Sequence, residues 1–242
     1  MMKLSDYVFQ FLQEKGVQHA FMLPGGGAMH LDDSIGRSGI QYICTLHEQA
    51  AAVAAEAYAQ HTNRIGVCLT TSGPGATNAI TGVTAGWIDS TPMFIISGQA
   101  KRSDLIGETG VRQIGSQEVQ IIDMVRPITK YAVQIMDPSE IRYHMERAYY
   151  EATNGRPGPV WLSIPLDVQA TMVEPEKLEG YVPKMVAKPD LAETVAKTVS
   201  LLQQAKKPVI LAGNGIKLAG ATEDFYKLLE VLRFRYLQHG KP

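Results

Sequence analysis

Glu48 and the run Thr71-Ser72-Gly73-Pro74-Gly75 are the residues whose types and spacing best suit chemistry. Glu48 follows a short apolar run, Gln41-Tyr42-Ile43-Cys44-Thr45-Leu46, and opens an alanine-dominated stretch that reaches Gln60. The bounded apolar run predicts a buried strand, and the alanines, strong helix formers, predict a helix. The carboxylate therefore belongs at the mouth of a strand-to-helix turn, where open parallel sheets bind their ligands. Residues 65–70 predict a second strand, which breaks into the Gly-Pro-Gly run before another helix opens at Ala76. Two such units in succession place both loops at one edge of one sheet. One loop offers a lone acceptor and the other a shelf of bare backbone. Taken alone, a glutamate at a helix start is most often a solvated residue favouring the helix dipole, worth about 0.3–1 kcal/mol.

Other chemical signatures fail on spacing. His47-Glu48-Gln49-Ala50-Ala51 lacks the second histidine of a zinc-protease helix, so no metal site is expected there. Gly213-Asn214-Gly215 follows an apolar run, but Leu218 stands where the dinucleotide fingerprint needs its third glycine, and Asn78 does so after Gly73 and Gly75. No Gly-x-Ser-x-Gly elbow, Walker loop or Gly-Asp-Gly occurs, and the six histidines show no ligand spacing.

The elements that would position these residues alternate between strand and helix. Leu4, Val8, Phe11 and Leu12 share a face of a first helix that stops at Gly16. Residues 17–23 predict a strand, after which Pro24-Gly25-Gly26-Gly27 bends the chain and lets backbone approach a ligand. Strands are expected at 93–97, 131–133 and 160–164, with helices at 28–35, 117–124 and 138–153. Residues 98–116 form a long polar loop without hydrophobic period, the kind that serves as a lid or is disordered. The pattern implies an α/β fold, a doubly wound, mostly parallel sheet with helices on both faces. It assigns residues 1–169 to one domain, 170–189, rich in Pro, Glu and Lys, to a linker, and 190–242 to the beginning of a second α/β domain. In that second part residues 208–212 predict a strand, and Leu191, Val195, Val199 and Leu202 share a helix face. The tail from Leu232 does not read as a strand.

Composition sets outer limits. The 242 residues are 45% hydrophobic with a formal charge of -1, which gives no reason to expect nucleic acid or an anionic membrane as a partner. Cys44 and Cys68 both fall in expected strands and read as small buried hydrophobes of a reducing compartment. The N-terminus lacks a signal-like apolar segment, no run approaches a membrane span, and no Asn-x-Ser/Thr occurs, so a cytoplasmic location is expected.

The motifs His47-Glu48-Gln49-Ala50-Ala51, Glu56-Ala57-Tyr58-Ala59 and Thr71-Ser72-Gly73-Pro74-Gly75-Ala76-Thr77-Asn78 resemble those of thiamine-diphosphate enzymes, in their pyrimidine-binding domain and most of all in the acetolactate synthase branch. The likeness extends in order through Pro24-Gly25-Gly26, Gln117-Glu118, Arg156-Pro157-Gly158-Pro159-Val160 and Ile164-Pro165-Leu166-Asp167. The resemblance implies that Glu48 hydrogen-bonds the aminopyrimidine N1′ and promotes the tautomer that activates the thiazolium. It places Pro24, Gly25, Gly73, Pro74, Gly75, Asn78 and Gln117 beside the cofactor, and Gly26 and Gln117 toward a 2-keto acid. Arg156 matches an arginine that contacts FAD in acetolactate synthases. The alanine face of the helix after Glu48 (Ala51, Ala54, Ala55, Tyr58) matches a region of a dimer interface, so a homodimer or tetramer, or a chain carrying the diphosphate-binding domain, is the implied partner. Mg²⁺ is expected on that other domain, since its Gly-Asp-Gly is lacking here. Leu23, Ser116 and Leu166 depart from the aromatic, phenylalanine and lysine usual in acetolactate synthases, and these positions shape the acceptor pocket.

Overall fold

The structure is a computed structural model and describes residues 1–184, 190–232 and 236–238. They fall into two units, Met1–Pro183 and Lys184–Pro242. In the first unit the chain runs through β1 (Met2–Lys3), α1 (Leu4–Glu14), β2 (His19–Met22), α2 (Met29–Arg37), β3 (Gln41–Cys44), α3 (Glu48–Thr62), β4 (Gly66–Thr70), α4 (Pro74–Asn78) and α5 (Ile80–Ile88). It continues through β5 (Met93–Gln99), α6 (Ile121–Val125), β6 (Tyr131–Gln134), α7 (Ile141–Thr153), β7 (Pro159–Pro165), α8 (Leu166–Gln169) and β8 (Met172–Val173).

Six strands form one parallel sheet in the order β3-β2-β4-β5-β7-β6. Side chains alternate between its faces, as strand geometry requires. Val67, Leu69, Phe94, Ile96, Val160 and Leu162 pack with Leu4, Val8 and Leu12 of α1, Leu31 and Ile35 of α2, and Ile141 and Met145 of α7. Cys68, Met93, Ile95 and Trp161 face the other way, onto Ala51, Ala52 and Ala55 of α3, Val83 of α5, and Ile121 and Val125 of α6. Helices thus cover both faces, as the alternating pattern implies. The small residues of α3 set how closely it lies. A Cβ on Gly66 would stand 2.0 Å from the Ala55 carbonyl oxygen, and one on Gly82 2.6 Å from the Ala52 Cβ. Of the alanine face, Ala51 and Ala55 are spent on this intrachain packing, while Ala54 and Tyr58 are half-buried.

Several elements differ from expectation, each for a physical reason. The run 41–46 is not buried, because β3 is an edge strand with β2 as its one neighbour, which leaves Cys44 and Leu46 exposed. A helix over 117–124 cannot begin at Gln117, whose φ of 56° is left-handed, and α6 starts at Ile121. Residues 98–116 are held down: Arg102 pairs with Asp167 at 2.7 Å and donates to the Met136 carbonyl at 2.9 Å. The segment after Ala170 does not start a free connector. There β8 pairs antiparallel with β1, Val173 is buried, and the Tyr181 N–H donates to Glu146 Oε2 at 2.7 Å. Only 185–189 of the expected linker lies outside the described residues.

The second unit holds α9 (Ala192–Gln204), β9 (Ile210–Ala212), α10 (Gly215–Leu218), α11 (Thr222–Leu232) and β10 (Tyr236–Gln238). The tail does contain a strand: β10 pairs parallel with β9, Tyr236 opposite Ile210. Of the expected helix face, Leu191, Val195 and Val199 are exposed and Leu202 is half-buried.

Candidate active site

The chain leaves β2 toward β3 on one side, and β4 lies on its other side. The crevice above the carboxyl ends of β2 and β4 is therefore the topological switch point, where ligands of open α/β sheets bind. Three loops interlock there. The Gly27 N–H donates to Thr71 Oγ1 at 3.0 Å. A Cβ on Gly25 would stand 2.5 Å from the Thr71 Cβ, and one on Gly98 would stand 2.0 Å from the Gly27 carbonyl oxygen. Gln169 Nε2 donates to the same Gly27 oxygen at 2.8 Å and to the Ile164 oxygen at 2.7 Å. Glycine at 25 and 98 is thus a packing requirement. Beside Gly26 the space is open.

Glu48 opens α3 at this edge and is 7% exposed. His47 caps the helix, its Nδ1 accepting from the Gln49 N–H at 3.1 Å. Asn78 Nδ2 donates to Glu48 Oε2 at 2.9 Å, the one side-chain hydrogen bond this carboxylate receives among the described residues. Oε1 lies over Gly75, where a Cβ would stand 2.9 Å from it. Beneath, the thiol of buried Cys68 is pushed up to about 12, chiefly by burial and then by the charge of Glu48, so it is an inert thiol at neutral pH.

Gly73 has φ 57° and ψ −124°, and the carbonyl oxygen of Gln117 lies 2.0 Å from where its Cβ would be. Glu48, Gly73, Pro74, Gly75, Asn78 and Gln117 thus come together, with Pro24, Gly25 and Gly26 on the neighbouring loop. Arg156 does not join them. Its Nε donates to Ser90 Oγ at 2.7 Å, and both residues precede strands, β7 and β5, at the opposite edge of the sheet. Strands of this length put the two edges about 20 Å apart.

Sequence reasoning passed over Gln169 and Asp32. Asp32 Oδ2 accepts from the Gly25 N–H at 3.0 Å, while Oδ1 is buried without a partner. Burial raises its carboxyl to about 6, against the lowering by Gly25. A raised folded-state value means that between about 4 and 6 the native state holds a proton the unfolded chain has lost. Stability is therefore fully present below that window and falls as pH rises through it. Asp32→Asn is expected to flatten this slope. Urea midpoints of wild type and variant should diverge from pH 4 to 6 and stay parallel above, and a constant difference across the range would contradict the assignment.

A crevice at the switch point of a doubly wound parallel sheet, with one buried carboxylate oriented by an amide beside a glycine shelf, defines a ligand-binding α/β domain. The family model described as "Thiamine pyrophosphate enzyme, N-terminal TPP binding domain" matches residues 2–124, and the chain belongs to that family. It is 38% identical over 240 residues to a probable acetolactate synthase large subunit of Methanocaldococcus jannaschii, covering 96% of this chain and 39% of that protein. It is 37% identical over 231 residues to the acetolactate synthase large subunit of Lactococcus lactis, at 93% and 39% coverage. To the chloroplastic acetolactate synthase of Arabidopsis thaliana it is 36% identical over 222 residues, at 88% and 32%. The chain thus spans well under half the length of these relatives.

Proposed function

We propose that this chain is the pyrimidine-binding part of a thiamine-diphosphate-dependent 2-keto-acid carboligase or decarboxylase of the acetolactate synthase type. The observation that carries the reading is the buried Glu48 carboxylate, oriented by Asn78 at the switch point. When bound, the cofactor supplies the electron sink for decarboxylation of a 2-keto acid such as pyruvate and for transfer of the two-carbon unit to a second one. The residues of the chain prepare that chemistry. Asn78 occupies Glu48 Oε2, which leaves Oε1 to share a proton with the N1′ nitrogen of the aminopyrimidine. Burial keeps water from competing for that hydrogen bond and strengthens it. Gly25, Gly73 and Gly75, with Pro24 and Pro74, let the ring approach backbone, while Gly26 and Gln117 border the substrate. FAD at Arg156, a role in branched-chain amino acid synthesis and a homodimeric or tetrameric assembly extend the reading through the motif resemblance alone.

The diphosphate half does not fit these residues. The sequence has no Gly-Asp-Gly, and among the described residues no group of three or more His, Cys, Asp or Glu could hold a metal ion. The diphosphate and its Mg²⁺ are assigned to another segment or chain. A second reading follows from the same observation: a shortened form or subunit that lends Glu48 to a partner bearing the diphosphate half. No helix among the described residues is long and apolar enough to cross a membrane. The phosphates carry most of the ligand's charge, and charge-assisted contacts are the strong ones. Titration of the 242-residue chain with thiamine diphosphate and Mg²⁺ is therefore expected to show weak binding, with NMR shifts at Asn78, and no pyruvate consumption. Tight, magnesium-dependent binding would overturn the half-site assignment, and saturating ligand without a response at Asn78 would overturn the pyrimidine reading.

A further inference from the structure

Glu118 is 5% exposed, and among the described residues no lysine, arginine or histidine pairs with it. Its charge is met by backbone. Oε1 accepts from the Ile106 N–H at 2.7 Å, and Oε2 from the N–H groups of Gly115 at 3.1 Å and Ile114 at 3.3 Å. Ionised acceptors make shorter and stronger bonds than neutral ones. One carboxylate thus gathers both ends of the segment 106–115. The residue before it is Gln117, whose left-handed φ of 56° is uncommon for a side chain of this size. The Gln117 carbonyl fills the position a Gly73 Cβ would take, and its own Cβ lies 2.9 Å from that point. On the other side, Gln99 Nε2 donates to the Val119 carbonyl at 3.0 Å. Gln117 is thus held from both flanks in a conformation it does not favour, pressed onto the shelf beside Glu48.

Resting on the pyrimidine-site reading above, we infer that Glu118 is a positioning residue: its three backbone hydrogen bonds hold Gln117 in the left-handed conformation that seats it on Gly73. The residue type follows from the donor set. A carboxylate accepts at both oxygens, whereas glutamine would turn its NH2 toward an N–H group at one end.

The test compares wild type, Glu118→Gln and the exposed loop control Glu108→Gln, each with and without Gln117→Gly. Thiamine diphosphate with Mg²⁺ is titrated into the 242-residue chain and NMR shifts at residue 117 and Asn78 are followed. Glycine takes positive φ freely, so it releases the site from the clamp. Glu118→Gln is expected to weaken binding about tenfold, since only the fraction of molecules that keeps Gln117 seated on Gly73 would bind. The thermal midpoint should change little, and in the Gln117→Gly background the loss should shrink to about twofold. A mere loop staple would lower the midpoint without rescue by glycine. Wild type without a response at Asn78 would sink the pyrimidine reading and this inference with it. A responding wild type with equal affinity in Glu118→Gln, or a loss that persists in the glycine background, would sink the Glu118 assignment alone. Should Glu118→Gln fold poorly, the Gln117→Gly pair decides: a double variant that stays unfolded overturns the assignment, and one restored by glycine supports it.

Discussion

Glu48→Gln is expected to lower turnover by about 10²–10⁴-fold, the usual worth of a positioned acid–base group, in any assembly where this domain is active. The substitution keeps shape and volume. The glutamine oxygen can still accept from Asn78 Nδ2, as Oε2 does at 2.9 Å, so the local packing should survive. What disappears is the ionisable oxygen over Gly75: an amide NH2 there can hydrogen-bond a ring nitrogen but cannot exchange a proton with it. The natural control lies on the same helix. Glu56 is also buried, but it accepts from Thr91 Oγ1 at 3.3 Å near the amino-terminal edge of the sheet, two turns from Glu48. Glu56→Gln should shift the unfolding midpoint and leave turnover per folded molecule intact. Steady-state kinetics beside urea melts separates the two effects. A Glu48→Gln enzyme within a few-fold of wild type would remove this carboxylate from the mechanism.

The site was largely legible in the sequence because its parts are local. Glu48 sits at a helix start marked by an alanine run, and Gly73-Pro74-Gly75 interrupts an apolar strand, so periodicity and turn chemistry alone place both at one sheet edge. What could not be read depends on contacts between distant residues. Whether the run 41–46 is buried depends on its place in the strand order, and β3 turns out to be the edge. The segment after Ala170 has the composition of a linker, yet β1, more than 160 residues earlier, gives it a partner. Residues 98 and 99 of the expected loop end β5, and the polar rest, 100–116, shows no period because it is organised by Glu118 and Arg102 rather than by an apolar face. Asp32 reads as an ordinary first-turn acid, and only the fold buries it against Gly25. Arg156 belongs to a motif that follows the site residues in sequence, but parallel strands begin at the edge opposite to where they end, and Arg156 precedes its strand.

The same sheet supplies the second large effect. Trp161 lies at the middle of β7, fully buried, between Ile95 on β5 and Ala132 on β6. It belongs to the apolar layer beneath α3, α5 and α6, whose other members are mostly small: Ala51, Ala52, Ala55, Cys68, Ala76 and Ala79. The helices that cover β7 are α5 and α6, and their core residues Val83, Ile121 and Val125 are too short to refill the void left by an indole. Trp161→Ala is therefore expected to cost about 3–5 kcal/mol, the upper range for core truncations. That is a large share of the roughly 5–15 kcal/mol that holds a typical domain. Trp161→Phe separates the polar part. It fills most of the volume but removes the Nε1–H that donates to buried Ser97 Oγ at 2.9 Å, and should cost about 1–3 kcal/mol. Urea denaturation followed by far-ultraviolet circular dichroism ranks the three proteins without relying on the lost fluorophore. Alanine less than 1 kcal/mol below wild type would mean that α5 and α6 can move inward, and the void would then not persist.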